Sequence, residues 1–414
     1  MKTLAPDNFK MKERSISLGE LFIIYLKIGF VGFGATLAAE TKKILVTEGK
    51  WLSEEDFVNG LALSQLLPGA TFVSLSVYIG YRLRGIVGGV ISFVALLLPP
   101  FFIMVLLSYI YFTYGSIRAV SIPFKGIGVV VVGLITYALL EIGKSVLTDK
   151  KGIFIALVAS SMILYCSNIF IVLCFATVAG IGLYYQPLKY QANIALANER
   201  LMPCNKNAIP VKQMIHLGII VIVLGYTASF QPILLNLGLV FFRMGAFLFG
   251  GGFSMIPFIQ QEVVMNYHWL TLDEFIVGIA LGQVTPGPVL ITATFVGYKV
   301  ASLSGALAAT LGIFLPSLFL VPATAEIHLK VRNNLWVQAA LKGIVATLIG
   351  MMLVVIVGIA RHSLVDGPSI ILAISIFCVL KFRKCNTIWV IMGGTLVYCF
   401  MTWLRTDMVT VLLS

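Results

Sequence analysis

Long apolar stretches, separated by short polar or basic loops, follow one another along the whole chain. In the first half they occupy residues 18–39, 57–81, 86–114, 126–147, 153–165 and 169–185. A stretch of about 18 or more apolar residues is long enough to cross a bilayer as a helix. The pattern therefore predicts an all-α polytopic membrane protein with about 13 apolar segments.

The pattern occurs twice, and the two copies also match residue by residue. The sequences WLSEEDF at 51–57 and GLALSQLLPG at 60–69 return as WLTLDEF at 269–275 and GIALGQVTPG at 278–287. Three shorter matches accompany them. GYR at 80–82 corresponds to GYK at 297–299, the Leu-Pro pair at 98–99 to the one at 315–316, and the Lys-Gly pair at 125–126 to the one at 342–343. Two copies of a broken apolar segment are typical of secondary transporters, whose site lies at the repeat interface.

The copies divide the chain into a first transmembrane repeat at 1–186, a cytoplasmic linker at 187–212 and a second repeat at 213–414. The second repeat begins with an extra span, 214–230, that has no counterpart in the first half. An extra span reverses the second copy in the bilayer. Only then do most basic loops of both halves lie on one side, as the positive-inside rule requires. We therefore predict two inverted-topology repeats.

This topology counts each broken segment as a single crossing of the membrane. Arg118 and Lys125 then lie on the side opposite to the other basic residues. Re-entrant hairpins are the alternative, and they would lower the number of crossings in each half by one.

Each copy contains a Pro-Gly break in the middle of an apolar segment, at 68–69 and at 286–287. Proline removes a backbone donor and interrupts the helix, so the half-helix that restarts offers free N–H groups and the positive end of its dipole. Such a terminus is a ready anion site. Gln65 and Gln283 precede the breaks by three residues and can add an amide donor. The alternative is a proline kink that serves packing only.

A cation occupies the same place in both copies, Lys27 in the first and Arg243 in the second, inside an apolar span. A charge at the centre of a spanning helix costs about 2.5–3.5 kcal/mol on insertion scales, which argues for a function. A structural pair with a carboxylate is the alternative. Glu141 is a candidate proton relay or charge partner. The predicted substrate-binding residues are Lys27, Gln65, Pro68, Gly69, Arg243, Gln283, Pro286 and Gly287.

Composition narrows the function further. The chain is 59% hydrophobic and 11% charged, with a mean hydropathy of +1.00. Its net charge of +12 could indicate nucleic-acid binding, but the basic residues lie in short loops rather than in a stripe with aromatics. The six cysteines form no CxxC pair and the four histidines are scattered. We therefore predict no nucleic-acid partner, no metal, no cofactor and no enzymatic activity.

Several of these motifs together resemble the chromate ion transporter family in its two-repeat form, over nearly the whole chain. They are KIGFVGFG at 27–34, QLLPG at 65–69, GYR at 80–82, GGGF at 250–253, QVTPGP at 283–288 and LP at 315–316. The resemblance implies a multi-pass carrier of oxyanions in the cytoplasmic (inner) membrane. It also implies that an ion gradient drives transport, with chromate efflux as the activity.

The first half departs from the family pattern in two places. Where members show Gly-Gly-Pro followed by a histidine, this chain has GATLAA at 34–39, and its first Pro-Gly-Pro is PGA at 68–70. Sulfate or another oxyanion is therefore an alternative substrate. An ion channel and a lipid-handling membrane protein are the alternative classes. The expected partners are an oxyanion and the lipid bilayer, and homo-oligomer formation is left open.

Overall fold

The computed structural model describes residues 16–33, 36–115, 117–165, 168–196, 231–247, 249, 252–324, 334–383, 385 and 387–413. Helices make up almost all of this part of the chain. The first ten residues of the predicted linker continue a helix as far as Leu196. The predicted extra span at 214–230 lies outside the described residues.

The described helices fall into two matching sets. The first half contains α1 (Leu18–Val31), α2 (Thr36–Lys42), α3 (Glu54–Leu66), α4 (Thr71–Tyr114), α5 (Arg118–Val146), α6 (Lys150–Tyr165) and α7 (Ile169–Leu196). The second half contains α8 (Pro232–Ala246), α9 (Ile256–Ile259), α10 (Leu272–Val284), α11 (Thr292–Thr324), α12 (Leu335–Ser363), α13 (Gly367–Cys378) and α14 (Thr387–Leu413). Short π- or 3₁₀-helical turns adjoin them at Lys43–Glu48, Gly252–Met255, Gln260–Asn266, Val289–Ile291 and Val379–Arg383.

The repeated WLSEEDF and WLTLDEF sequences fold alike, because each contains the cap of a helix. The Ser53 hydroxyl accepts a hydrogen bond from the Asp56 amide at the start of α3. The Thr271 hydroxyl does the same for the Glu274 amide at the start of α10, and the Glu274 carboxylate accepts from the Thr271 amide in return. These caps satisfy amides that a helix start leaves unpaired.

Helix α4 is two helices that fold back on each other. The backbone leaves the helical region at Arg84 and Gly85, where φ of Gly85 is +62°. Beyond this turn the Ser92 hydroxyl donates to the Ser76 carbonyl at 2.8 Å. Residues 16 apart would lie about 24 Å apart along a straight helix, so the contact shows a hairpin. The arms of α4 are therefore antiparallel.

Helix α11 reverses in the same way as α4. Its break lies at Ala301 and Ser302. The hydroxyls of Thr294 and Thr310 then meet across the two arms at 2.6 Å. The long apolar stretches of both halves thus share one shape.

The Pro-Gly breaks are the tips of a further hairpin in each half, formed by α3 with the first arm of α4 and by α10 with the first arm of α11. Gly60 packs against the ring of Tyr78 across tip 1 (67–70), and Gly278 packs against Phe295 across tip 2 (285–288). The 13 residues of α3 extend about 20 Å, less than the roughly 30 Å hydrocarbon core. Each broken segment is therefore a re-entrant hairpin, and its interpretation as a single crossing is wrong.

The two halves exchange helices. Helix α5 packs against α13 and α14, whereas its counterpart α12 packs against α6 and α7. The crossings are equivalent, since Gly133 lies against the Ala373 carbonyl and Gly350 lies against the Ala156 carbonyl. Glycine allows such a close approach because it carries no side chain.

The halves have opposite orientations, as predicted. Helices α5 and α12 are counterparts and run antiparallel, because Gly128 lies near Ser363 while Gly143 lies near Ile349. The helix bundle consequently has a first end, with the starts of α1 and α3 and the end of α5, and a second end, with the start of α10 and the end of α12. At the second end Asp273 contacts His362.

Six helical stretches among the described residues are long and apolar enough to span a membrane. Positive charge is concentrated at the first end of the bundle. The basic residues there include Lys42, Lys43, Lys50, Arg82, Arg84, Lys144, Lys150, Lys151, Lys381 and Arg383. Lys125, Lys299 and Arg361 lie at the second end. This distribution agrees with the predicted orientation, in which the first end faces the cytoplasm.

Candidate functional site

Both hairpin tips line one cavity of about 480 Å³ between the halves. The first half contributes Gln65, Ala70, Thr71 and Phe72, together with Ile142, Ser145 and Val146 of α5. The second half contributes Gly252, Phe253, Pro288, Val289, Leu290 and Val345. The lining is uncharged, so a ligand would meet backbone dipoles, hydroxyls and one side-chain amide.

The first arm of α4 begins at this cavity. Its N-cap is Ala70, and no side chain caps the helix. The first intrahelical bond at this end is donated by the Ser74 amide to the Ala70 carbonyl, at 2.8 Å. The amides of residues 71–73 therefore have no intrahelical acceptor, and the positive end of the helix dipole lies at the cavity. Gln65 is exposed in the same space.

Tip 1 rests on the second half through hydroxyl groups. Gly69 has a φ of +122°, and a Cβ placed there would lie 2.5 Å from the Ser317 Oγ. The Ser74 hydroxyl donates to the same Ser317 Oγ at 3.0 Å. Gly69 is buried and Pro68 half-buried. Glycine is required at 69 by both the backbone angle and the close contact.

Tip 2 is sealed against the first half. The Gly287 amide donates to the Gly32 carbonyl at 2.7 Å, so it is already occupied. Gly287 has a φ of +103°, and a Cβ there would lie 2.8 Å from the Pro100 ring. Pro286 is buried. The Gln283 Nε2 is buried without a hydrogen-bond partner among the described residues, and Gln283 does not line the cavity. Only Pro288 and the turn after it reach the cavity.

The two predicted cations lie away from the tips. Lys27 is exposed on α1, on the same face as Ile23 and Phe30, and Arg243 is exposed on α8. The Arg243 guanidinium lies 5.8 Å from the ring centroid of Phe170. In the part of the chain that the structure describes, neither cation is in an ion pair or lines the cavity. The burial on which their assignment depended is not observed there.

Glu141 lies near the end of α5 and is half-exposed. Its Oε1 accepts a hydrogen bond from Lys144 Nζ at 3.0 Å. Of the two predicted roles, this contact fits the charge partner of a lysine. Glu141 is not part of the cavity lining.

The cavity shares part of its lining with a cavity at the first end of the bundle. It shares Ser145, Val146 and Val345 with a cavity of about 300 Å³ that reaches Asp149 and Lys342. A cavity of about 500 Å³ at the second end contains no residue of either tip. Among the described residues, the tip cavity thus adjoins the first-end cavity and shares no lining residue with the second-end cavity.

Comparison with protein families gives a match to the chromate transporter family at residues 19–183 and again at residues 235–399. The chain belongs to the chromate transporter family. The two matched segments correspond to α1–α7 and α8–α14, which confirms the two-repeat organisation.

Curated relatives cover nearly the whole of this chromate transporter family member. A chromate transport protein of Cupriavidus metallidurans is 31% identical over 386 residues, which cover 92% of each chain. A chromate transport protein of Pseudomonas aeruginosa is 29% identical, again covering 92% of each chain. An uncharacterized transporter of Methanocaldococcus jannaschii is 32% identical, covering 94% of this chain and 96% of the relative. No solved structure is significantly similar to the chain.

Sequence reasoning identified both Pro-Gly breaks and both glutamines but missed the serine, threonine and valine residues that complete the cavity. Ser145 and Thr71 belong to ordinary apolar helices, and no local signal marks them. Lys125 and Lys342 were identified only as a repeated pair.

Proposed function

We propose that this protein is a secondary active carrier of an inorganic oxyanion across the cytoplasmic membrane, with chromate as the first candidate and efflux as the direction. Relatives of the same length are named chromate transport proteins. The observation that carries the proposal is the uncapped start of α4, which lies with Gln65 in a cavity between two re-entrant hairpins.

In this proposal, the amides of residues 71–73 and the Gln65 side chain donate hydrogen bonds to the oxyanion. Backbone N–H groups suit a tetrahedral dianion because they are fixed donors that cannot accept a hydrogen bond. Pro68 breaks the helix at the required place, and Gly69 allows a close approach of the backbone. Charge stabilisation comes from the helix dipole rather than from a lysine or arginine in the cavity.

The counterpart residues Gln283, Pro286 and Gly287 contribute when the second half opens. Inverted repeats of a carrier exchange conformations, so each half in turn adopts the arrangement now seen in the other. For tip 2 this requires that the Gly287 amide leave the Gly32 carbonyl. Access from one end at a time favours a carrier over a channel.

Sulfate is the second candidate substrate. It is also a tetrahedral dianion, and the described cavity offers donors and shape but no group that would react with chromium. The departures from the family pattern at 34–39 and 68–70 also leave room for an oxyanion other than chromate.

Purified protein in liposomes, with labelled chromate and an imposed proton gradient, tests the proposal. We expect saturable transport that sulfate inhibits and chloride inhibits poorly. Gln65→Ala should weaken apparent affinity about tenfold, because a hydrogen bond to a charged group contributes about 1.5–3 kcal/mol.

Flux that does not saturate would identify a channel instead. Binding of lipid, without protection of the protein from thermal unfolding by any oxyanion, would favour the lipid-handling class.

A further inference from the structure

The cavities at the two ends of the bundle are counterparts of each other. The first-end cavity is lined by Lys342, Val345 and Ser145, among others. The second-end cavity is lined by the residues at the equivalent positions of the repeat, Lys125, Gly128 and His362. Each end therefore has a vestibule with one lysine at the same structural position.

The backbone around each lysine is held in place by the glycine that follows it. Gly126 lies against the Tyr398 ring of α14, and Gly343 lies against the Ala176 carbonyl of α7. Both contacts join a helix of one half to a helix of the other. The part of each helix that carries the lysine is therefore fixed beside the vestibule that the lysine lines.

The acids in the vestibules have other hydrogen-bond partners. Asp149 Oδ1 accepts from the Tyr184 hydroxyl at 2.6 Å and from the Gly152 amide at 2.8 Å. Burial alone would raise the pKa of Asp149, but these bonds, and attraction to Lys342 and Lys151, lower it. Asp273 Oδ1 lies 2.8 Å from His362 Nε2.

The charges of the two lysines are not cancelled by direct ion pairs. Among the described residues, neither Lys125 nor Lys342 is in a salt bridge. The Lys342 ammonium lies 5.2 Å from the centroid of the Tyr184 ring, a cation–π contact that keeps its positive charge. Asp149 and Asp273 line the same vestibules, but neither carboxylate is bonded directly to the lysine beside it, so each ammonium keeps its donors for another anion.

The location of Lys125 supports a role beyond topology. A lysine at the second end acts against the orientation that the basic first end establishes. Its presence at the position equivalent to Lys342 is explained if both ends of the path need a positive charge.

We propose that Lys125 and Lys342 form two vestibule sites for oxyanions, one at each end, that concentrate the dianion before it reaches the hairpin tips. The inference rests on the proposed function. A positive charge in a cleft with low-dielectric walls raises the local concentration of a dianion, and salt weakens the effect.

The test uses the full chain in liposomes, with chromate supplied from one end at a time. Lys342→Gln should raise the apparent KM from the first end about threefold or more, and Lys125→Gln should do so from the second end. The maximal rate should change little. Both effects should shrink as salt rises, and Lys→Arg should restore the wild-type KM.

Lys150→Gln at the first end and Arg361→Gln at the second end are matched controls, since each removes one exposed cation that does not line a vestibule. Equal KM shifts in the controls, or unchanged KM in both vestibule variants, would overturn the vestibule sites. A wild-type protein that neither binds nor transports an oxyanion would instead overturn the proposed function.

Discussion

The two hairpin tips share a sequence but have different surroundings. Tip 1 faces a cavity, with Gln65 exposed and the start of α4 uncapped. Tip 2 is bonded to the first half through Gly287 and Gly32, and the amide of Gln283 is buried beside it. The repeat determines the hairpin, whereas the opposite half determines which hairpin is accessible.

The two tips also differ in the residue that each glycine contacts. Gly69 contacts Ser317 of the second half, and Gly287 contacts Pro100 of the first half. Pro100 and Ser317 occupy equivalent positions in the two repeats. A serine can rotate its hydroxyl, but a proline ring cannot move in this way. We therefore expect tip 1 to adjust more easily than tip 2.

Accessibility should give the largest difference between the tips. In a cysteine-free background, Gln65→Cys should react with an impermeant thiol reagent applied at the first end, because position 65 lines the open cavity. Gln283→Cys should remain unlabelled in the same state. Mass spectrometry of the labelled protein measures both. Equal labelling of the two positions would remove the distinction between an open and a sealed tip.

The second largest difference between the tips is expected in stability, when the glycine of each tip is replaced. Both have a positive φ, so alanine at either costs about 1–3 kcal/mol in backbone strain. Gly287→Ala also meets the rigid Pro100 ring, whereas Gly69→Ala meets a serine hydroxyl. The unfolding temperature of purified protein should therefore fall more for Gly287→Ala.

A second substitution checks the cause of that ranking. Ser317→Ala should partly restore Gly69→Ala, because it removes the hydroxyl that a Cβ at 69 would meet. If Gly69→Ala proves as unstable as Gly287→Ala and is not restored, the comparison of the two contacts fails.

The glutamines should respond in opposite directions. A buried amide without a hydrogen-bond partner destabilises the folded protein by about 1–3 kcal/mol. Gln283→Met removes this amide, so the unfolding temperature should rise. Transport should fall, because the sealed state is favoured. Gln65→Met should leave the unfolding temperature near that of the wild type and weaken chromate affinity. A stability change of the same sign and size in both would contradict this.

The smallest effect is expected at the outer cations. Lys27→Gln and Arg243→Gln should leave apparent chromate affinity within about twofold of the wild type, since one charge-assisted hydrogen bond would be worth tenfold or more. Binding assays on inserted protein measure this. A tenfold loss in either variant would support the hypothesis that these residues bind the substrate.

The sequence predicted the repeat, the inverted orientation and the Pro-Gly breaks, because each depends on residues that are close in the chain or that match between the two copies. It did not predict that the breaks are hairpin tips. Re-entrant hairpins were only the alternative, because a Pro-Gly break permits either a kink or a reversal of the chain. The reversal is shown by contacts between residues on either side of each break, Gly60 with Tyr78 and Gly278 with Phe295.

The candidate site was predicted only in part, because some of its residues lie in one motif and others are brought to it by packing. The tips and their glutamines lie within one motif, so the spacing identifies them. The exposed positions of Lys27 and Arg243 depend on which face of α1 and α8 packs inward, and an apolar helix in a membrane carries little pattern to show this. The serine and valine residues of α5 and α12 reach the cavity only because the halves exchange helices.

That exchange limits how the protein can move. Helix α5 is held by α13 and α14 of the other half, and α12 is held by α6 and α7. The halves are therefore interlocked, and moving one whole half against the other would break the close helix contacts at Gly133 and Gly350. We expect these helices to stay fixed during transport, and the two re-entrant hairpins, of two helices each, to move between them.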